Sequence, residues 1–407
     1  MRVMPPVFDE AMVKLRQVPE DFVVEEVGGP EPNIEDGWQN DQHHLYRLYK
    51  RGHDSIALLA RLSRELEVPR RAWGLSGLKD RHAVTTQTVS VPGTHRICTE
   101  IGEVNSGDDW SLTLLGGCDQ KVRSGVHEWN RFTLKIRDIT YEQVQRLPER
   151  VVQLEMHGMP NWFDSQRFGS AIKGVLPGAH ILERDFEGAM NLYLAQRSPS
   201  DRSATRRDKE IIKGRWPNLE QIDAGELSHK PLRKPIRAYA RAIGGGADNT
   251  DPFKAAYLAM PRDLRGMWLS AWQSRRWNQS LAKLFSERFD EHLLHSVGIP
   301  TGDTLLFPHA PAGRHGAAKH SLVQNIAERL SEMPDSLPMQ TEDLSDIDGF
   351  LTEHDRPCII HPSEFSISEP ERDEMNGSGK RKRWKTTLSF ALPPGAYATV
   401  VVKRLFH

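Results

Sequence analysis

A chain of 407 residues is too long for one ordinary hydrophobic core, so two domains are expected. With 38% hydrophobic and 27% charged residues, the composition is that of a soluble globular protein and excludes a disordered one. A formal net charge of −1 gives no global sign of a nucleic-acid partner. The segment Met1 to Glu10 has two prolines, two acids and no apolar stretch, and is not expected to act as a signal peptide. Phe22–Val27 reads as a strand behind a Pro19-Glu20-Asp21 turn. His44–Tyr49 reads as another, with His44, Tyr46 and Leu48 alternating with Leu45, Arg47 and Tyr49. Ile56, Leu59, Leu62 and Leu66 recur at helical spacing behind a cap at Asp54 or Ser55, and Pro69 ends that helix. Strands are expected at Val84–Val91, Trp110–Leu115 and Phe132–Arg137, and a helix over Glu142–Met156 ending near Gly158. Short strands mixed irregularly with helices predict an α+β fold.

The middle of the chain differs. From Asp185 to Phe289 the pattern is mostly helical, with Leu264, Met267, Trp268, Ala271 and Trp272 on one apolar stripe. The Gly244-Gly245-Gly246 run lacks the Lys-Ser/Thr of a phosphate-binding loop and reads as a flexible connection. Asn376–Lys380 reads as a hairpin tip. Thr386–Leu392 and Tyr397–Leu405 read as strands around a Pro393-Pro394-Gly395 turn, the second buried on both faces because Val400, Val401 and Val402 are consecutive. The helical middle offers these strands no neighbours. They are therefore expected to rejoin the N-terminal sheet, which makes the middle an insertion.

Local charge is uneven. Residues 202–241 hold eleven Lys/Arg against five Asp/Glu, and residues 331–374 hold thirteen acids against two bases. The basic runs are candidates for an RNA footprint and the acidic region for exposed surface. Cys98, Cys118 and Cys358 are far apart and show no metal-ligand spacing, which points to reduced thiols in the cytoplasm. No apolar run reaches membrane-spanning length, and no membrane partner is expected.

The chemistry is concentrated in Gly77-Leu78-Lys79-Asp80-Arg81-His82, which precedes the Val84 strand and places one carboxylate among cations. Asn130-Arg131-Phe132 sets an amide, a guanidinium and a ring at another strand start. Residues 161–169 and 270–278 interleave aromatic, amide and basic side chains, as recognition of an unpaired nucleotide requires. Each segment alone also fits an ordinary core or a solvated turn.

Together these segments resemble the TruD family of tRNA pseudouridine synthases. The similarity runs through Lys14–Glu26, with Pro19-Glu20-Asp21-Phe22-Val23-Val24-Glu25 at its centre, and Gly77-Leu78-Lys79-Asp80 with Ala83-Val84-Thr85 and Gln87. It continues through Asn130 and Phe132, Asn161–Gly169, Ser270–Ser274 with Asn278, and Leu392–Thr399, in family order along nearly the whole chain. The resemblance implies a pseudouridine synthase catalytic domain, a mixed and largely antiparallel sheet with flanking helices. Into it is inserted a mostly helical TRUD domain, with expected bounds of 1–158 and 355–407 for the catalytic parts and 159–354 for the insertion. It implies isomerisation of uridine to pseudouridine, typically uridine-13 of tRNA, with neither cofactor nor metal; a monomer is expected. Asp80 is then the catalytic carboxylate, acting as nucleophile or as base, with Lys79 keeping it ionised and placed. Phe132 stacks on a flipped uracil and Asn130 orients the base or Asp80. Asn161, Phe163, Gln166, Arg167 and Phe168 are expected to contact substrate. Two rival readings are a catalytically silent RNA-binding protein and an Asp-dependent hydrolase. A synthase acting on another RNA position is a third.

Overall fold

The computed structural model describes residues 13–245, 251–309, 317–378 and 381–406. Met1–Glu10, Gly246 and two residues of the expected hairpin tip, Gly379 and Lys380, lie outside them. The chain divides into two compact units. One comprises the chain up to Met159 together with the chain from Ile360 onward, and the other is Pro160–Ile359.

The first unit is built on a sheet. Its strands are β1 (Phe22–Val27), β2 (His43–Arg51), β3 (Gly74–Leu75), β4 (Val84–Pro92), β5 (Val104–Gly107), β6 (Trp110–Cys118) and β7 (Trp129–Ile139). They are joined by the later strands Ser363–Ile367, Glu371–Arg372 and Trp384–Leu392. The order runs from Ser363–Ile367 through Trp384–Leu392, β7, β1, β4, β2 and β6 to β5. β1 and β4 are parallel, with Val23 opposite Val84, and the other pairs on this path are antiparallel. Thus Trp384–Leu392 does rejoin the sheet, pairing Phe390 with Phe132 and Leu392 with Asn130.

Helix α1 (Ser55–Glu65) starts where Asp54 accepts a hydrogen bond from the Ala57 N–H. Its Leu58, Leu59 and Leu62 pack in a core with Trp73, Val89, Val91, Leu112 and Leu114. Helix α2 (Tyr141–His157) opens on a Thr140/Gln143 capping box and buries Leu147, Val151 and Leu154.

The segment expected as a second C-terminal strand is a helix, Ala398–Phe406. Each of its residues is buried. A run buried on every side, with Lys403 and Arg404 buried beside the valines, shows no contrast between an inner and an outer face, and its three consecutive valines favour a strand reading that the fold overturns. Tertiary contacts decide: Arg150 and Gln143 of α2 donate to the terminal carbonyls of Leu405 (2.7 Å) and Phe406 (3.2 Å).

The second unit is largely helical. Its helices include Phe186–Leu194, Ser203–Gly214, Lys230–Gly244, Pro252–Leu258 and Arg262–Arg288. Ile212, Leu232, Ile236, Tyr257, Trp268 and Leu269 meet in one core cluster. On the long helix Arg262–Arg288, Trp268 and Ala271 are buried as expected, but Met267 points outward and is 62% exposed. The acidic region splits by environment. Glu342, Asp343, Asp346 and Asp348 are exposed, whereas Asp373 is buried against Arg137 in the first unit.

Candidate active site

Asp80 lies on the loop that leads from β3 into β4, and side chains from two neighbouring elements hold the loop backbone. Ser55, the first residue of α1, accepts from the Lys79 N–H and donates to the Lys79 carbonyl, both at 3.2 Å. Gln87 of β4 donates to the Gly77 carbonyl at 3.0 Å. Beneath the loop lies Lys50, at the end of β2 and wholly buried. Its ammonium donates to the carbonyls of Asp80 (2.8 Å), His53 (2.9 Å) and Lys79 (3.4 Å). Burial pushes the Lys50 amine down to about 8, against the opposing pull of Asp80 and Asp54.

The Asp80 carboxylate is 37% exposed, and its Oδ2 stands 3.0 Å from a guanidinium nitrogen of Arg16. Arg16 covers the Phe22 ring at 3.9 Å from the centroid. Phe22 meets Phe132 edge-on at 6.2 Å, and Phe132 leans on Phe390 at 5.6 Å. The aromatic row therefore fixes Arg16, and Arg16 fixes one oxygen of the carboxylate.

Lys79 stands beside Asp80 on the same loop. Its ammonium pairs with Glu26 at 2.7 Å and donates to the Asn130 side-chain oxygen at 2.8 Å. Glu26 and Asn130 face each other in register on β1 and β7, which is why one cation reaches both. The second Glu26 oxygen accepts from the Thr88 N–H at 2.9 Å and from the Ser76 hydroxyl. With its oxygen taken by Lys79, Asn130 presents its amide N–H to His127 Nε2 at 3.0 Å. His127 must then be neutral, and burial together with Lys79 holds its imidazole below the usual range. Burial and the cations Arg81 and Arg16 do the same to His82, which follows Asp80 on the exposed side of the loop.

Of the residues singled out from sequence, Lys79, Asp80, Asn130 and Phe132 lie in the first unit. Asn161, Phe163, Gln166, Arg167 and Phe168 lie in the second. There, Arg356 donates to both the backbone and side-chain oxygens of Asn161, and Asn161 donates to the Pro357 carbonyl. Asn278 bonds both backbone groups of Phe163, whose ring lies 3.9 Å from the Arg356 guanidinium. Arg167 donates to Ser274, Phe168 is fully buried and Gln166 is exposed. The amide of Gln273, in the helical segment 270–278, is spent on the carbonyls of Gln340 and Thr352.

Sequence reading passed over Arg16, Glu26, Lys50 and His127. For Lys50 a signal existed. The alternation that buries His44, Tyr46 and Leu48 reaches Lys50 at its next step.

Residues 8–333 match the family model described as tRNA pseudouridine synthase D (TruD). The chain belongs to the TruD family. Among TruD relatives, a probable tRNA pseudouridine synthase D 1 of Methanococcus maripaludis is 27% identical over 97% of this chain and 100% of its own. A tRNA pseudouridine synthase D of Leptospira interrogans is 27% identical over 100% of this chain and 98% of its own. The fold matches the crystal structure titled as a putative tRNA pseudouridine synthase D (TruD) from Methanosarcina mazei, with a TM-score of 0.57 at 21% identity, covering 99% of this chain and 96% of that one.

Proposed function

We propose that Asp80 is the carboxylate through which this TruD protein isomerises uridine-13 of tRNA. The chain is an isomerase that converts uridine to pseudouridine in tRNA, the activity of its family. The reaction breaks the N1–C1′ bond, turns the uracil over and joins C5 to C1′, while the C5 hydrogen leaves to solvent and N1 gains a proton. Uridine and pseudouridine are isomers, so no oxidant, reductant or second substrate enters the balance.

The observation that carries this reading is the placement of Asp80. One carboxylate oxygen is engaged by Arg16, and the side chain is more than one-third open to a reacting sugar. A carboxylate so held has two available roles. It attacks C1′ as nucleophile, or it removes the C2′ proton to give a glycal. Flipping the target base costs roughly a few kcal/mol, which phosphate contacts and stacking offset. Phe132, beside Phe22, is the ring proposed to stack on the flipped uracil, and Lys79 and Asn130 form the polar wall beside it. Asn161, Phe163, Gln166, Arg167 and Phe168 are proposed to support RNA contact from the inserted TRUD domain. The protein is proposed to work as a cytoplasmic monomer.

The test is Asp80→Asn with tRNA carrying tritium at uridine C5. The variant is expected to bind tRNA as the wild type does and to release no tritium. Release at the wild-type rate removes Asp80 from the chemistry. Mapping pseudouridine in cellular RNA with and without the protein checks position 13. A slowing by deuterium at C2′ selects the glycal route.

A further inference from the structure

We infer that the outward face of the helix Lys230–Gly244 is a docking surface that holds substrate tRNA by its sugar-phosphate backbone. Lys230, Lys234, Arg237 and Arg241 are all exposed, at spacings of four, three and four residues. That spacing puts them on one side of the helix in a row roughly 16 Å long at 1.5 Å per residue. The other side buries Leu232, Pro235, Ile236 and Tyr239 in the core, so the row cannot turn inward. No Asp or Glu occurs between Lys230 and Gly245.

Among the described residues, none of the four cations is in an ion pair; Arg241 donates to the Arg237 backbone carbonyl at 3.3 Å, which leaves its charge uncompensated. Other arginines of the same unit are neutralised: Arg184 by Asp346, Arg197 by Glu210, Arg262 by Asp348 and Arg275 by Asp303. The preceding helix Ser203–Gly214 adds to the field. Its Asp208 accepts from the His229 N–H at 2.6 Å, which ties it to the start of the basic helix, and it exposes Arg206, Arg207 and Lys213. Its outward acid Glu210 is engaged by Arg197, and Glu220, Asp223 and Glu226 sit on the connection between the two helices.

Like charges at helical neighbour positions repel, so an uncompensated row works against its own helix unless a polyanion covers it. The complementary partner is a chain of phosphates. Such contacts set grip and register and read no base. The row therefore contributes affinity for any tRNA and leaves the choice of uridine to other residues. This inference rests on the tRNA synthase reading given above.

The test is the variant Lys230→Gln/Lys234→Gln/Arg237→Gln/Arg241→Gln, with tRNA affinity measured across a potassium chloride series and turnover measured in parallel. Each lost phosphate contact lowers the slope of log affinity against log salt by about 0.7–0.9. The expected result is a slope shallower by about 3, a KM raised about tenfold or more, and an unchanged kcat at saturating tRNA. The half variants Lys230→Gln/Lys234→Gln and Arg237→Gln/Arg241→Gln are each expected to give about half the slope change, which keeps the test intact should the fourfold variant fold poorly. An unchanged slope and KM in variants that melt like the wild type, beside a wild type that makes pseudouridine, overturn the docking surface alone. A wild type that makes none overturns the synthase reading, and the docking surface with it.

Discussion

The ammonium nitrogen of Lys50 lies 2.8 Å from the backbone carbonyl of Asp80, and it reaches the carbonyls of His53 and Lys79 as well. Three N–H donors on one tetrahedral nitrogen meet three converging acceptors, an arrangement that a planar guanidinium cannot copy. Lys50 touches neither the carboxylate nor any reacting atom in this arrangement. It positions the peptide that carries them. Lys50→Met is expected to lower kcat about a hundredfold, the scale of an ångström-sized misplacement, while tRNA affinity stays within about threefold. Three carbonyls losing their donor also cost about 1–3 kcal/mol of stability. Lys50→Arg is expected not to restore kcat. Single-turnover rates beside tRNA binding curves decide the matter, and a Lys50→Met enzyme with wild-type kcat shows that the loop holds itself.

Arg16 acts on the other end of the same residue. It engages the Asp80 carboxylate at 3.0 Å while stacking on Phe22. Arg16→Gln keeps a hydrogen-bond donor and loses the charge. Its kcat is expected to fall about 10²-fold with a loss of no more than about 1 kcal/mol in stability, because the carboxylate it pairs with is partly solvated. Arg16→Lys is expected to recover part of the rate. Equal rates for wild type and Arg16→Gln remove the pair from the mechanism.

The Lys79–Glu26 pair is a different case, since its side chains are only 9% and 1% exposed. Removing Glu26 strands an ammonium in a buried site. Glu26→Gln is expected to cost about 3–5 kcal/mol in denaturant unfolding. Glu26→Gln/Lys79→Met removes both charges and is expected to cost less than Glu26→Gln alone. A double variant less stable than Glu26→Gln shows that Lys79 has other support.

These pairings mark where sequence stopped being legible. The strands around Asp80 follow from alternation, and α1 and α2 from apolar spacing with recognisable caps, because one face of each meets a core and the other does not. The helix Ala398–Phe406 has no such contrast and was read as a strand. Lys79 is adjacent to Asp80 in sequence, and only the fold shows its ammonium also reaching Glu26 and Asn130. A cation that pairs with the Asp80 carboxylate comes from 64 residues away, from Arg16 in a left-handed conformation with φ of 60°. No periodicity announces such a residue. The aromatic and amide segments of the inserted unit were legible as a group, but which side chain is committed to Arg356, Ser274 or Asn278 required the fold.

Raising the pH separates activity from stability through Lys50. Its folded-state value lies near 8, against 10.5 for an exposed lysine, and the charged groups that act on it are Asp80, Asp54 and Lys79. Below about pH 8 the amine is protonated in the folded and the unfolded chain, and all three carbonyls keep their donor. Between about 8 and 10.5 the unfolded chain still holds the proton that the folded one has released, so this group makes the fold more stable as pH rises. The neutral amine has two N–H groups for three carbonyls, and the Asp80 loop loosens. The expected outcome is a kcat that declines above about pH 8 under single-turnover conditions, with no matching fall in melting temperature from this group. In Lys50→Met the residual activity is expected to lose that alkaline limb. A limb at the same pH in the variant assigns it to another titrating group.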